Sequence, residues 1–556
     1  MKYCLGLDFG SLSARALLVA VETGEEVASA VAEYRHGFIE TALPETGETL
    51  PPDWTLQDPK DYIDALSAVC HEVTQGIDPS GIVGVGVDFT SCTMLPVTRD
   101  GIPLSYLPEF RENKHAYVKK WKHHAAQDQA DRLNALARER GEGWLPYFGG
   151  KMSCEFMLPK MLQILEEAPE VYTAAAGFVE AGDWIVWVLT GALARSSCMA
   201  GYKSGWTETD GYPSNDFLTA LHPGLNNAAE EKLWGDVVPV TARAGLITEE
   251  AAKLTGLAAG TPVGIAVSDA LAAVPAAGIT RPGTLLKIIG TSTCDIILTP
   301  ERTAVQGMCG NVPGAVIPGL YGLELGQSCV GDHFDWFVRT CVPGPVAEEA
   351  KGRGISVHTL LSEKAAADPP GASGLLALDW WNGNRSVLTD TDLTGLMVGL
   401  SLTTRPEEIY RALIEATAFG AKVILDAVEE AGVPVERVRV CGGIPLKNPF
   451  MMQCYADILN REISVSRSSQ ACALGSAMLG AVAAGKAGGG FDTIQEAAEV
   501  MPRIGKDAYA PNPAHRKVYD ALYSEYRTLH DLFGRGGSGV MKNLKAIKRR
   551  EFISAC

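Results

Sequence analysis

The strongest constraint on the fold is a pair of stretches that follow one template in opposite halves of the 556-residue chain. LGLDFGSLSARALLV begins at Leu5 and LLKIIGTSTCDIILTP at Leu285. Each is an apolar run, a glycine followed by a hydroxyl residue, a polar turn and a second apolar run. Gly10 and Ser11 in the first match Gly290 and Thr291 in the second. A further echo pairs VGVGVDFTS, from Val83, with VRVCGGIPLKN, from Val438. One hydrophobic core rarely serves a chain of this length. The echoes therefore predict two α/β domains related by duplication, each opening with a glycine-turn hairpin. Pro and Gly in TRPGT place the boundary so that the domains span 1–284 and 285–556.

Periodicity fills in the rest. A helical pattern runs over 58–73, ahead of a β-rich run over 82–97, and 109–190 reads as mostly helical, AYVKKWKHHAAQ included. A short buried strand over 262–267 leads into an Ala-rich helix from Asp269. Helices over 407–430 and 472–485 are expected to cover the sheet of the second half. With 48 basic against 66 acidic residues the net charge is −18, which argues against a nucleic-acid surface. The most apolar long stretch, 262–279, is broken by Ser268, Asp269 and Pro275, so no membrane span is expected. No signal core opens the chain, and thirteen cysteines from Cys4 to Cys556 form no CxxC pair. Reduced thiols and a cytoplasmic location follow.

Several constellations can carry chemistry. In LDFGSLSAR, a strand-end Asp8 precedes Gly10, Ser11 and Ser13, a tight turn whose N–H groups and hydroxyls can cradle phosphate oxygens. Asp8 could hold Mg²⁺ through water and Arg15 could neutralise a terminal phosphate. An ordinary hairpin with Asp8 accepting turn amides is the alternative. Gly290, Thr291 and Ser292 offer a second such turn. Gly442 and Gly443 allow close backbone approach to a base or ribose, beside Asn448. None of these is a Walker loop or a dinucleotide fingerprint. A polar set of Asp88, Ser91, Lys203 and Glu324 suits a polyhydroxylated substrate, although Lys203 reads equally well as a surface lysine. His123 and His124 are adjacent and point apart on a helix, which disfavours a metal. Asp269 stands alone in GIAVSDALAAVPAAG, and such a carboxylate is paired, metal-bound or kept for chemistry.

The motifs together resemble the FGGY carbohydrate kinases of the actin-like ATPase superfamily over nearly the whole chain. They include AGYKSGW from Ala200, GLELGQSCVGD from Gly322, DWWNGNRS from Asp379, EATAFGAK from Glu415 and QACALGSA from Gln470. The resemblance implies two ribonuclease-H-like domains with ATP in the cleft between them. It places the first phosphate loop on Asp8, Gly10, Ser11, Ser13 and Arg15, the second on Gly290, Thr291 and Ser292, and adenosine at Gly442, Gly443 and Asn448. Sugar contacts fall on Ser91, Lys203, Asp269 and Glu324, with Asp88 nearby, and Asp269 is the catalytic base. Such a base accepts the sugar hydroxyl proton as the bond to phosphorus forms, while the rest of catalysis is positioning and electrostatics.

The implied partners are ATP, Mg²⁺ and a ketopentose, L-ribulose first, phosphorylated at its 5-hydroxyl, with a homodimer as the assembly to test. Another pentulose, a pentitol or glycerol is the alternative substrate. A non-metabolic actin-like ATPase or a sugar sensor is the alternative class. Two positions depart from the family pattern near the expected sugar pocket: Leu271, where a His is usual, and Ser91, where a smaller residue is usual.

Overall fold

Side chains alternate between the two faces of a strand, and the first strand shows what this does here. In β1 (Tyr3–Phe9), Leu5, Leu7 and Phe9 enter one core while Cys4 enters another, with Gly6 and Asp8 on its side. The computed structural model describes residues 1–555, so the Cys556 thiol lies outside the described residues. The remaining twelve cysteines are free.

β1 forms a hairpin with β2 (Ser13–Ala20), which pairs with β3 (Glu26–Glu33). On its other edge β1 runs parallel to β4 (Ile82–Phe89). β5 (Arg243–Leu246) and β6 (Pro262–Gly264) extend the sheet, and β7 (Val267–Ser268) also pairs with β4, giving seven strands. The single strand expected over 262–267 is thus two short ones.

The second half repeats this plan. β8 (Thr284–Ile289) forms a hairpin with β9 (Thr293–Thr299). β10 (Gly310–Pro313) and β11 (Tyr321–Gln327) continue that edge. β12 (Arg437–Cys441) runs parallel to β8, followed by β13 (Ile463–Ser466) and β14 (Ile504–Tyr509). In both sheets a strand pairs antiparallel with the next and parallel with a later one, so the duplicated template is a duplicated topology. Both sheets have a ribonuclease-H-like order of strands.

Helix α1 (Pro59–Val73) is capped by Asp58, whose side chain accepts from Lys60 N, and covers the outer face of the first sheet. α2 (Ser197–Lys203) packs beside β10. α3 (Asp269–Ala276) follows β7 directly, and α4 (Pro406–Glu430) covers the outer face of the second sheet. α5 (Gly443–Lys447) is a single turn after β12. α6 (Ala471–Gly488) does not cover the second sheet, as its place in the chain suggested. It lies on β1 and β4 of the first, against α3. Glycines make this approach possible: a Cβ on Gly6 would strike the carbonyl of Ala473, on Gly86 that of Ser476, and on Gly475 that of Ala272. α6 is long and apolar enough to cross a membrane, and 67% of it is buried here, between the sheets.

The stretch 109–190 is less helical than its pattern suggested. It contains strands Val118–Lys119 and Gly177–Glu180, which join Leu56–Gln57 and Met94–Val97 in a four-stranded sheet. Apart from a 3₁₀ turn over Lys114–Ala116, helix begins only at Gln127, after AYVKKWKHHAA.

Candidate active site

The first turn, between β1 and β2, closes with Gly10 N–H on Ser13 O at 3.0 Å. Its carbonyls are tied into the protein. Gly10 O accepts from Tyr34 Oη at 3.3 Å and Lys120 Nζ at 3.4 Å, Ser11 O from Gln57 Nε2 at 2.9 Å, and Leu12 O from Tyr34 N–H at 2.9 Å. Among the described residues, no acceptor meets the N–H groups of Ser11 and Leu12. Two free N–H groups in one turn form a concavity suited to an anion. At its entrance Arg15 Nη1 donates to Asp8 Oδ2 at 3.1 Å.

The second turn closes with Gly290 N–H on Ser292 O at 2.9 Å, and again the carbonyls are taken. Gly290 O accepts from Gly331 N–H at 3.0 Å, and Thr291 O from Val330 N–H at 2.8 Å and Asp332 N–H at 3.3 Å. Thr291 is exposed and Ser292 half-buried, and neither N–H has an acceptor among the described residues. Gly442 holds a φ of +110° beside this turn, where a Cβ would strike Ile289 O. Gly443 opens α5 with open space over its Cα. Asn448 is engaged at both ends of its amide: Oδ1 caps Met451 N–H at 3.0 Å and Nδ2 donates to Ser362 Oγ at 3.0 Å.

Asp269 is the first residue of α3 and half-buried, and its Oδ1 accepts from Ala270 N–H at 2.7 Å. Burial, then the charge of Asp8, pushes its carboxyl up to about 6, while the Ala270 N–H and the Lys120 charge hold it down. The helix start therefore does not cancel burial, and Asp269 still ionises below neutrality. Next to it, Ser268 Oγ and Ser91 Oγ lie 3.2 Å apart.

Lys203, expected to be as readily on the surface as in a site, is buried at the end of α2. Its Nζ donates to Glu324 Oε1 of β11 at 3.0 Å, joining the two halves. Glu324 Oε2 is buried and has no partner. A cavity of about 40 Å³ has Glu155, Phe156, Cys309 and Arg385 in its lining, and Lys203 Nζ lies 5.4 Å from the centre of the Phe156 ring. Asp88 lies further in. It is level with Asp8 across the β1–β4 register, fully buried, and its Oδ2 accepts from Ser476 Oγ of α6 at 2.6 Å. Burial, then the Asp8 carboxylate, lifts Asp88 well above the usual carboxylate range. Leu271 is likewise fully buried in the core between the sheets, beside Gly322 of β11.

The sequence assigned no role at either turn to the residues that pack beside them. Trp121 Nε1 donates to Ser11 Oγ at 3.1 Å, and the guanidinium of Arg385, from the second half, lies 5.7 Å from the centre of the Trp121 ring. The charge of Lys122 reaches Asp332, which buttresses the second turn. Nothing in AYVKKWKHHAAQ links it to residue 11 or 332, since the contacts are purely tertiary. His123 and His124 are used separately, by Gln163 Oε1 at 2.9 Å and Glu155 Oε1 at 3.0 Å. Among the described residues no three His, Cys, Asp or Glu side chains converge on a cation. Asp8 stands at the first turn as a single carboxylate, its Oδ2 accepting from Arg15. That suits a Mg²⁺ carried mainly by phosphates and water.

Two turns with free N–H groups, a half-buried carboxylate and a buried Lys–Glu pair are the groups that a phosphotransferase acting on a small polar acceptor requires. The models of the FGGY family of carbohydrate kinases match both halves, the N-terminal domain over residues 3–275 and the C-terminal domain over 285–484. The chain belongs to this family, and is thus a sugar kinase of actin-like ATPase architecture. It is 52% identical over 546 residues to a protein named ribulokinase from Geobacillus thermodenitrificans, covering 98% of this chain and 97% of that one. It is 47% identical to a ribulokinase from Mycolicibacterium smegmatis, over 100% and 98%. Among solved structures, a xylulose kinase from Lactobacillus acidophilus shares the fold with a TM-score of 0.78 at 20% identity, over 96% and 98% of the chains.

Proposed function

We propose that this kinase transfers the γ-phosphoryl of ATP to the 5-hydroxyl of ribulose, L-ribulose first. The observation that carries a polyol acceptor is Glu324 Oε2, a buried carboxylate oxygen without a donor beside the Lys203 ammonium. A buried acceptor of this kind calls for a partner, and a sugar hydroxyl supplies one while a second hydroxyl or carbonyl faces Lys203. Similarity to proteins named ribulokinase selects the ketopentose.

In this reading the sugar lies between Ser91, Lys203, Glu324 and Asp269, with its reacting hydroxyl at Asp269. Asp269 takes the proton as oxygen attacks phosphorus. Asp8, Gly10, Ser11, Ser13 and Arg15 face the phosphates from the first half, and Gly290, Thr291 and Ser292 from the second. The nucleoside lies along Gly442 and Gly443, with Asn448 holding the following helix in place. A Mg²⁺ beside Asp8 would neutralise phosphate charge. Domains of 1–284 and 285–556 and a cytoplasmic location complete the proposal.

ATP turnover against L-ribulose, D-ribulose, D-xylulose, ribitol and glycerol tests it. Highest kcat/KM with L-ribulose is expected. Preference for glycerol or xylulose by more than tenfold would overturn the substrate.

A further inference from the structure

Past β14 the chain forms two further helices, α7 (Arg516–Gly534) and α8 (Val540–Ala555), and both meet one loop, residues 384–392. α7 comes so close that a Cβ on Gly534 would strike the side chain of Leu388. α8 is anchored by Met541, buried in the core of the second half. From there it sends two lysines, three residues apart and so on one face, onto three consecutive residues of the loop. Lys542 Nζ pairs with Asp390 Oδ2 at 2.5 Å. Lys545 Nζ donates to Thr391 O at 2.6 Å and lies 3.3 Å from Asp392 Oδ1.

The loop has a shape that needs such support. Thr389 is β-branched and holds a φ of +49°, a left-handed conformation that persists only where the surroundings over-determine it. Its N–H donates to Arg385 O at 3.0 Å, and Asn384 and Asp390 exchange backbone hydrogen bonds at 2.9 and 2.8 Å. On the side away from α8 the loop is tied to the sugar side of the cleft. Ser386 N–H donates to Gly326 O at 3.1 Å and its Oγ accepts from Gly326 N–H at 3.2 Å, two residues beyond Glu324 in β11. Lys151 of the first half donates to Thr389 O at 3.0 Å. Arg385, Thr389 and Thr391 line the cavity that also has Glu155 and Cys309 in its wall. Burial opposes the charge of Arg385, while Glu155 from the first half and Glu324 from the second favour it, so the guanidinium is held above its ordinary value. The loop therefore lies between the clamp and the Lys203–Glu324 pair.

We propose that Lys542 and Lys545 of the C-terminal helix are positioning residues for the sugar: by clamping residues 390–392 they hold the loop so that Arg385 and the Thr389 carbonyl stay against the first half. The proposal rests on the reading of the Lys203–Glu324 pair as the sugar site. Neither lysine touches substrate. Partly exposed ion pairs of this kind add little to stability, whereas displacements of about 1 Å at a site cost up to about a hundredfold in rate. The clamp thus acts on geometry more than on stability.

The full-length double variant Lys542→Ala/Lys545→Ala tests it, by steady-state kinetics with ATP and L-ribulose and by thermal unfolding. The KM for L-ribulose is expected to rise about three- to tenfold and kcat to fall about two- to fivefold. The KM for ATP should stay within about twofold, and Tm should fall by no more than about 2–4 °C. Lys542→Arg/Lys545→Arg keeps both charges and both donors, and should bring the sugar KM back to within about twofold of wild type. Wild-type sugar kinetics in the alanine variant would overturn the proposal, as would equal rises in both KM values, a loss confined to Tm, or an arginine variant no better than the alanine one. If the double variant does not fold, Lys545→Ala decides alone by the same criteria. Glu324→Gln measured alongside separates the two levels. Wild-type sugar kinetics there would overturn the reading of the pair as the sugar site, and the clamp with it; if only Glu324→Gln is impaired, the sugar site stands and positioning by the lysines is refuted.

Discussion

In the second half, the carbonyls of Gly290 and Thr291 are held by backbone N–H groups of residues 330–332. In the first half, those of Gly10 and Ser11 are held by the side chains of Lys120, Tyr34 and Gln57, which come from three separate segments. Both arrangements leave the next N–H groups free. What the two halves share is the direction of the peptides, not the groups that fix it. A buttress made of backbone is indifferent to side-chain type and yields only to steric intrusion. One made of side chains yields to single deletions, each by a graded amount. The turns also differ in charge. Asp8 stands two residues before Gly10, whereas Ile288 stands two before Gly290.

In the proposed reading both turns serve one acceptor site, so loss of its base sets the scale against which they are compared. Asp269→Asn is expected to lower kcat by about 10²- to 10⁴-fold with the KM for ATP within about twofold. Near-normal turnover in steady-state assays would remove Asp269 from the chemistry. Next comes the backbone buttress. A Cβ on Gly331 would sit 2.6 Å from Gly290 O and 3.0 Å from Ile444 Cδ1. Gly331→Val should displace the second turn, cutting kcat/KM for ATP about a hundredfold. Deleting side chains around residues 330–332 while leaving Gly331 intact should do far less. Equal effects would mean that the second turn is also held by side chains.

The difference in buttressing explains which parts of the molecule could be read from the sequence. The hairpins β1–β2 and β8–β9 were legible because a glycine turn between apolar runs is a local signal, and so was the helix start at Asp269. α6 was legible as a helix of small residues, but small side chains announce a close approach without naming the partner. That partner proved to be Gly6 and Gly86 on the other sheet. The paired Lys203 and Glu324 were visible only as separate polar residues, since one lies on α2 and the other on β11. The contacts of Lys120 and Trp121 with the first turn escaped notice because AYVKKWKHHAAQ has a helix-like composition, while tertiary pairing with Leu56–Gln57 makes part of it a strand.

The unequal charge of the turns predicts a pH effect. Asp269 must be ionised to accept a proton, and burial with the Asp8 charge places its carboxyl at about 6. Turnover should therefore be intact above that value and fall about tenfold per pH unit below it. The acid limb of kcat/KM for the sugar measures this directly. A limb near 4, the ordinary carboxylate value, would show that neither burial nor the Asp8 charge raises the base.

The smallest expected effect probes how the side-chain buttress shares its load. Tyr34 Oη and Lys120 Nζ both donate to Gly10 O, at 3.3 and 3.4 Å, so neither bond is short and each backs up the other. Tyr34→Phe removes one donor and keeps the ring, which packs edge-on against Tyr62 with centroids 5.1 Å apart. A hydrogen bond between neutral groups is worth about 1 kcal/mol net. With Lys120 still in place, the KM for ATP should rise only about two- to threefold and kcat should change less. The informative measurement is the double variant with Lys120→Met. Residues that share one acceptor are energetically coupled, so removing both donors should cost more than the two single losses combined, because only then is the Gly10–Ser11 peptide free to turn. Strict additivity would mean that the two side chains act on the turn independently, and that its peptide is held by the chain geometry of the hairpin itself.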